Sequence, residues 1–183
     1  KHVIRGGSPR TVDLLDRRDR FQHDKGVQAA FWRALGIAPR EGALKMSLFG
    51  YAGAPYGSLL DVMARSPGMV ECVVPDGAAA AAARAWVGSQ ARDRGNLRVH
   101  LIPFLAQDRY DELLWACDLN FVRGEDSFVR AMWAGAPFVW QIYPQHDGAH
   151  KHKLDAFFDL HEANLLPASA TLIAQTACTA HAA

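Results

Sequence analysis

A chain of 183 residues, half of them hydrophobic, can bury one respectable core, and one domain is expected. Its formal charge of +1 comes from acids and bases mixed through most of the length, so there is no basic stripe and no reason to expect a nucleic-acid partner. No apolar run approaches the roughly 20 residues of a membrane helix, the amino end KHVIRGGSPR lacks the apolar core of a signal peptide, and Cys72, Cys117 and Cys178 are widely spaced, as reduced core thiols are. A cytoplasmic protein with no membrane partner is expected.

Residues 1–20 combine Gly6, Gly7 and Pro9 with the charge-dense DLLDRRDR, and read as a linker or loop. From Phe21 to Leu35 the apolar positions Val27, Phe31, Trp32 and Leu35 recur at helical spacing, with Gly36 as the stop. Leu44 to Phe49 is strand-like and runs into GYAGAPYG, whose glycines precede an apolar-periodic helix through Leu59, Leu60 and Met63. The glycine spacing there is not the G-x-G-x-x-G of a dinucleotide fold, which counts against an NAD-dependent oxidoreductase. Phe49 and Tyr51 at the end of this strand either line a base or sugar pocket or pack in the core.

Met69 to Val74 reads as a second strand, Pro75 to Gly77 as a turn, and Ala78 to Val87 as a helix whose alanines signify helix propensity alone. Leu97 to Leu101 is a third strand, ended by Pro103 and Phe104. Gln107, in the loop that follows, either reads a base edge or is solvated, and Asp108 is expected to cap a helix over Arg109 to Ala116. A fourth strand over Asp118 to Val122, a helix over Phe128 to Ala134 and a fifth strand over Pro137 to Ile142 complete the pattern, followed by YPQHDGAHKH and a last helix through Leu154, Phe157, Phe158 and Leu160. His146, His150 and His152 suit a metal site poorly, because no Cys or Glu completes a set, and helix capping explains them better. About five repeats of strand then helix predict an α/β domain with a Rossmann-like parallel sheet flanked by helices.

The densest polar cluster is Arg123 to Ser127, between the fourth strand and its helix. Ligands of open α/β sheets bind at the carboxyl ends of strands, where helix starts offer free N–H groups and a partial positive charge. Arg123 and Gly124 suit a pyrophosphate, while Glu125 and Asp126 suit hydroxyl groups, a pairing that a sugar nucleotide would use in full. The plain alternative is that Asp126 or Ser127 caps the helix, Glu125 favours its positive end and Arg123 is a solvated charge.

The stretch from Phe104 to Leu160, PFLAQDRYDELLWACDLNFVRGEDSFVRAMWAGAPFVWQIYPQHDGAHKHKLDAFFDL with its leading proline, together with SLFGYAG at Ser47 to Gly53, resembles the carboxyl half of the EarP family. These are protein-arginine rhamnosyltransferases of translation elongation factor P. The resemblance implies one half of a GT-B-type, inverting glycosyltransferase that takes rhamnose from dTDP-β-L-rhamnose. It needs no cofactor and no metal. It implies donor contacts at Tyr51, Gln107, Arg123, Gly124, Glu125, Asp126 and Ser127, a base pocket formed by Phe49 and Phe104, and catalytic importance for Glu125. The family's acceptor-side aspartates lie in an amino-terminal domain that would precede Lys1.

On that reading residues 1–20 are a linker from the amino-terminal domain, 21–162 the donor-binding domain, and 163–183, which lack any Asp, Glu, Lys or Arg, an atypical uncharged tail. The chain alone is then expected to bind donor without transferring it. A non-catalytic nucleotide-sugar-binding module, or a truncated remnant, is the competing reading.

Overall fold

The computed structural model describes residues 9–88 and 93–143. The histidine-rich run over 146–152, the helix expected over 154–160 and the tail over 163–183 lie outside the described residues, as does Cys178.

The strands are β1 (Leu44–Leu48), β2 (Val70–Pro75), β3 (Asp93–Arg94), β4 (Leu97–Ile102), β5 (Leu119–Arg123) and β6 (Phe138–Gln141). They form one sheet in the order β3-β4-β2-β1-β5-β6, in which only the short edge strand β3 runs antiparallel. Parallel strands need crossovers, and the crossovers here are helices, so both faces of the sheet are covered. That is why β2 is buried along its whole length and reads as a continuous apolar run interrupted only by Glu71.

Helices α3 (Tyr56–Ala64) and α4 (Ala78–Val87) cover one face, burying Tyr56, Leu60 and Ala83 against Met46, Leu48 and Cys72. The other face carries α1 (Pro9–His23), α2 (Lys25–Ala34), α5 (Gln107–Ala116) and α6 (Gly124–Ala134) around Phe31, Leu114, Val122 and Trp140. Cys72 and Cys117 are free thiols in these two cores. Among the described residues no helix is long and apolar enough to cross a membrane.

Four local expectations change. The stretch read as a loop over residues 1–20 is helical from Pro9 onward, and its charged sequence hides one apolar edge, Leu14 and Phe21, which packs on the core. The helix beyond breaks in two at Asp24, whose carboxylate accepts hydrogen bonds from the N–H groups of Gly26 (2.8 Å) and Val27 (3.1 Å). The alanines of α4 do more than favour a helix: Ala79, Ala80 and Ala83 are buried, and their small size suits close approach to the sheet. Lastly, α5 begins at Gln107, so Asp108 lies in its first turn rather than capping it.

At the amino ends of the strands, Glu71 is fully buried and fully engaged. It accepts from the Arg40 side chain Nε (2.6 Å) and backbone N–H (3.1 Å), and pairs with His100 Nε2 at 2.5 Å. Arg40 also donates to the carbonyls of Val70 (2.8 Å) and Asn96 (3.1 Å), so a single guanidinium ties the starts of β2 and β4 together. Burial alone would raise the Glu71 pKa, but the hydrogen bonds from His100 and Arg40 outweigh it and leave it lowered.

Candidate functional site

Counting only the parallel strands, their spatial order is third, second, first, fourth, fifth, so the connections run outward in opposite directions from the β1–β5 pair. The helix after β1 lies on one face of the sheet and the helix after β5 on the other. The chain therefore diverges at the carboxyl ends of these two strands, leaving the crevice in which open α/β sheets bind ligands. A cavity of about 470 Å³ occupies that position. Phe49 and Tyr51 enter it from the end of β1, Phe104, Gln107 and Tyr110 from the β4–α5 passage, and Arg123, Gly124, Glu125, Asp126 and Ser127 from β5 and the start of α6. Every residue that the sequence analysis assigned to donor contacts or to the base pocket thus lines one cavity.

Arg123 is the last residue of β5. Its guanidinium carbon lies 4.3 Å from the ring centroid of Phe49 and 4.8 Å from that of Tyr51, so two aromatic rings hold the cation. Among the described residues no carboxylate pairs with it. Its field is nevertheless felt nearby: burial pushes the Tyr56 hydroxyl up to about 12, with Arg123 opposing that rise, and Tyr110 is likewise raised by burial against the pull of Ser127 and Arg123.

Gly124 opens α6 with φ +64°, in the left-handed region, and a Cβ there would stand 2.7 Å from the Tyr51 hydroxyl. Glycine is thus required on two counts, backbone conformation and space. Its carbonyl accepts a hydrogen bond from Trp140 Nε1 (2.7 Å), and Trp140 stacks on Phe128 at 4.0 Å, which fixes the helix start from below. The polar cluster is therefore the first turn of the helix rather than a loop before it. Neither Asp126 nor Ser127 caps α6, whose start carries no side-chain cap hydrogen bond. The N–H groups of a first helical turn have no intrahelical partner, and they are the kind of donors that seat an anion.

The two acids of the cluster differ. Asp126 accepts from Arg130 Nε (2.9 Å) and Gln107 Nε2 (3.3 Å), and Arg130 in turn donates twice to the buried Asp111 (2.8 Å each). This chain joins α5 to α6 across the cavity mouth and occupies the Gln107 amide. Burial raises the Asp111 pKa despite the opposing pull of Arg130. Glu125 stands exposed at the rim, as does Phe104 at 70 % exposure. Among the described residues no three His, Cys, Asp or Glu side chains gather as a metal set.

Three residues that sequence reasoning did not select also shape the site. Tyr56 donates to the Tyr51 carbonyl (2.6 Å), and Gln141 Oε1 accepts from the Tyr51 N–H (2.7 Å), so the turn after β1 is held at both backbone atoms. The close fit shows at Gly50, where a Cβ would lie 2.0 Å from the Tyr56 hydroxyl. Tyr110 forms the inner wall, its ring 5.6 Å from that of Phe49. Only the APYG neighbourhood signalled one of them, Tyr56, and a tyrosine or glutamine beside a turn or in a helix is too common to stand out.

Comparison with known proteins places this geometry in context. The family model described as Elongation-Factor P (EF-P) rhamnosyltransferase EarP matches residues 4–181. A protein-arginine rhamnosyltransferase of Pseudomonas putida is 45% identical over 158 residues, which cover 83% of this chain and 42% of that protein. Its namesake from Pseudomonas aeruginosa is 43% identical over 168 residues, covering 87% of this chain and 44% of the relative. A solved structure described as the structural basis for EarP-mediated arginine glycosylation of translation elongation factor EF-P superposes with a TM-score of 0.74 at 41% identity, over 84% of this chain and 50% of that one. The chain spans less than half the length of these two curated relatives.

Proposed function

The chain belongs to the EarP family, with the α/β fold of one half of a GT-B-type enzyme, and from that premise we propose that it is the donor-binding half of an inverting protein-arginine rhamnosyltransferase. Its donor is dTDP-β-L-rhamnose, and the acceptor of the complete enzyme is an arginine of translation elongation factor P. The observation that carries this reading is Arg123: a cation held by two rings, unpaired among the described carboxylates, beside an uncapped helix start at the sheet's topological switch point.

In this reading Arg123 and the amides from Gly124 to Ser127 hold the pyrophosphate. That group leaves as the glycosidic bond breaks, so charge grows on it in the transition state, and donors already aimed at it stabilise the transition state more than the ground state. Glu125, at the rim, accepts hydrogen bonds from ribose or sugar hydroxyls and is the group proposed to touch the reacting sugar. Tyr51 and Phe49 shape the floor, Phe104 and Gln107 face the base, and Asp126 orders Gln107 as well as meeting the ligand. The reading assigns no cofactor and no metal. It places the donor-binding domain over residues 21–162, with the helix Pro9–His23 packed onto it, in a cytoplasmic setting that suits the free thiols of Cys72 and Cys117.

Transfer is proposed to require the part of the relatives' length that this chain does not span. The alternative, a nucleotide-sugar-binding module without catalysis, is favoured by that same partial coverage. Calorimetric titration with dTDP-β-L-rhamnose, against UDP-glucose, tests the shared premise: selective binding of the dTDP sugar is expected, and a folded chain that binds neither would overturn it. Adding a separately produced polypeptide matching the rest of a relative then separates the two readings, since rhamnose appearing on an elongation factor P arginine requires the enzyme.

A further inference from the structure

Buried hydroxyls are almost always hydrogen-bonded, and one that is not calls for an explanation. Among the described residues the Tyr110 hydroxyl is the only buried side-chain polar atom without a hydrogen-bond partner. It belongs to the inner wall of the cavity beside Ser127, whose hydroxyl is near enough to pull the Tyr110 pKa down but stands outside hydrogen-bond geometry with it and donates to the Arg123 carbonyl. The arrangement costs stability: a phenylalanine would fill the same space without burying an unsatisfied group. Nothing in the packing needs the oxygen, because the ring alone makes the contact with Phe49.

We infer that Tyr110 is a positioning residue for the anion seat, acting through Ser127. When a phosphate oxygen arrives at the first turn of α6, the Ser127 hydroxyl rotates from the Arg123 carbonyl to donate to it. Turning about the Cα–Cβ bond carries the Ser127 oxygen into hydrogen-bond reach of Tyr110, which donates its hydroxyl hydrogen to it while Ser127 donates to the phosphate. No bond to carbon or phosphorus changes, and one unsatisfied hydroxyl becomes part of a chain running Tyr110 to Ser127 to phosphate. Such chains polarise each member, so the second donor strengthens the first. The device also discriminates: an occupant without an anionic oxygen at this point leaves Tyr110 unpaired, whereas the pyrophosphate relieves it.

This inference rests on the donor-site reading above, and the test separates the two. The full 183-residue chain, Tyr110→Phe, Ser127→Ala and the double variant are titrated calorimetrically with dTDP-β-L-rhamnose, and each is unfolded in urea. Tyr110→Phe should match or exceed the parent in unfolding midpoint while binding roughly 3- to 10-fold more weakly. The double variant should bind no more weakly than Ser127→Ala alone, because Tyr110 acts only through Ser127. A merely structural tyrosine would instead lower the midpoint and leave affinity untouched. Parent binding with unchanged affinity in Tyr110→Phe, or losses that add in the double variant, would overturn the inference and leave the donor site standing. Failure of the folded parent to bind would overturn both.

Discussion

Two arginines hold opposite ends of the same sheet in opposite ways. Arg40, at the amino ends of the strands, meets a buried carboxylate and two carbonyls, so its charge is answered within the protein. Arg123, at the carboxyl ends, meets the faces of two rings and no described carboxylate. A ring face steadies a guanidinium without neutralising it, since the attraction is to a quadrupole rather than a charge. An arginine whose charge is answered by a buried carboxylate and by carbonyls is a structural clamp. One that is oriented but unanswered is prepared for an anion that comes from outside.

The comparison breaks most visibly at the clamp. Arg40→Ala removes the guanidinium and leaves the Glu71 carboxylate, fully buried, with His100 and the backbone N–H of residue 40, and removal of one partner of a buried pair costs about 3–5 kcal/mol. The urea midpoint should fall accordingly, while the folded fraction keeps the parent's affinity for dTDP-β-L-rhamnose. Arg123→Ala should show the converse. Loss of charge-assisted hydrogen bonds worth about 1.5–3 kcal/mol weakens donor binding at least tenfold in calorimetry, and stability moves by about 1 kcal/mol or less.

Gly124→Ala falls between these two. A left-handed backbone costs an L-residue about 1–2 kcal/mol, and the added methyl meets the Tyr51 hydroxyl, so both midpoint and affinity should drop.

Acid sharpens the contrast more gently. The Glu71 pKa is lowered in the fold below the ordinary glutamate range, so its contribution to stability is complete above the unfolded-state pKa and is lost as pH falls from there through the folded value. Urea midpoints compared at about pH 6 and about pH 3.5 should therefore decline more in the parent than in Glu71→Gln. An equal decline in both would assign the acid sensitivity elsewhere. The smallest effect is expected at Tyr56→Phe, which removes the hydrogen bond to the Tyr51 carbonyl: about 1 kcal/mol of stability, with a modest loss of affinity as Tyr51 loosens.

How far the amino-acid sequence foretold this depends on whether a feature is local. The parallel strands were visible as short apolar runs between Gly and Pro signals, and the cluster from Arg123 to Ser127 stood out because strand, glycine and acids follow one another without a gap. The helix over Pro9–His23 was obscured because its buried edge is narrow and its remaining residues are charged. Asp108 looked like a cap because it is the right residue type, but the backbone enters the helix at Ala106, where no side chain signals the start. The Glu71 clamp was invisible for a deeper reason: Arg40, Glu71 and His100 are brought together only by strand register and by the loop before β1. Tyr110 likewise acquires its meaning only when α5 is laid beside α6, since the absence of a partner is a property of the fold and not of the residue.

The central claim is that the unanswered Arg123 and the first turn of α6 form the seat of the donor's pyrophosphate. A crystal structure of the chain grown with dTDP-β-L-rhamnose tests it most directly. The account predicts phosphate oxygens within hydrogen-bond distance of the Arg123 guanidinium and the amides of Gly124 to Ser127, with the sugar toward Glu125. A donor bound elsewhere, or bound here with its phosphates turned away from Arg123, would contradict it.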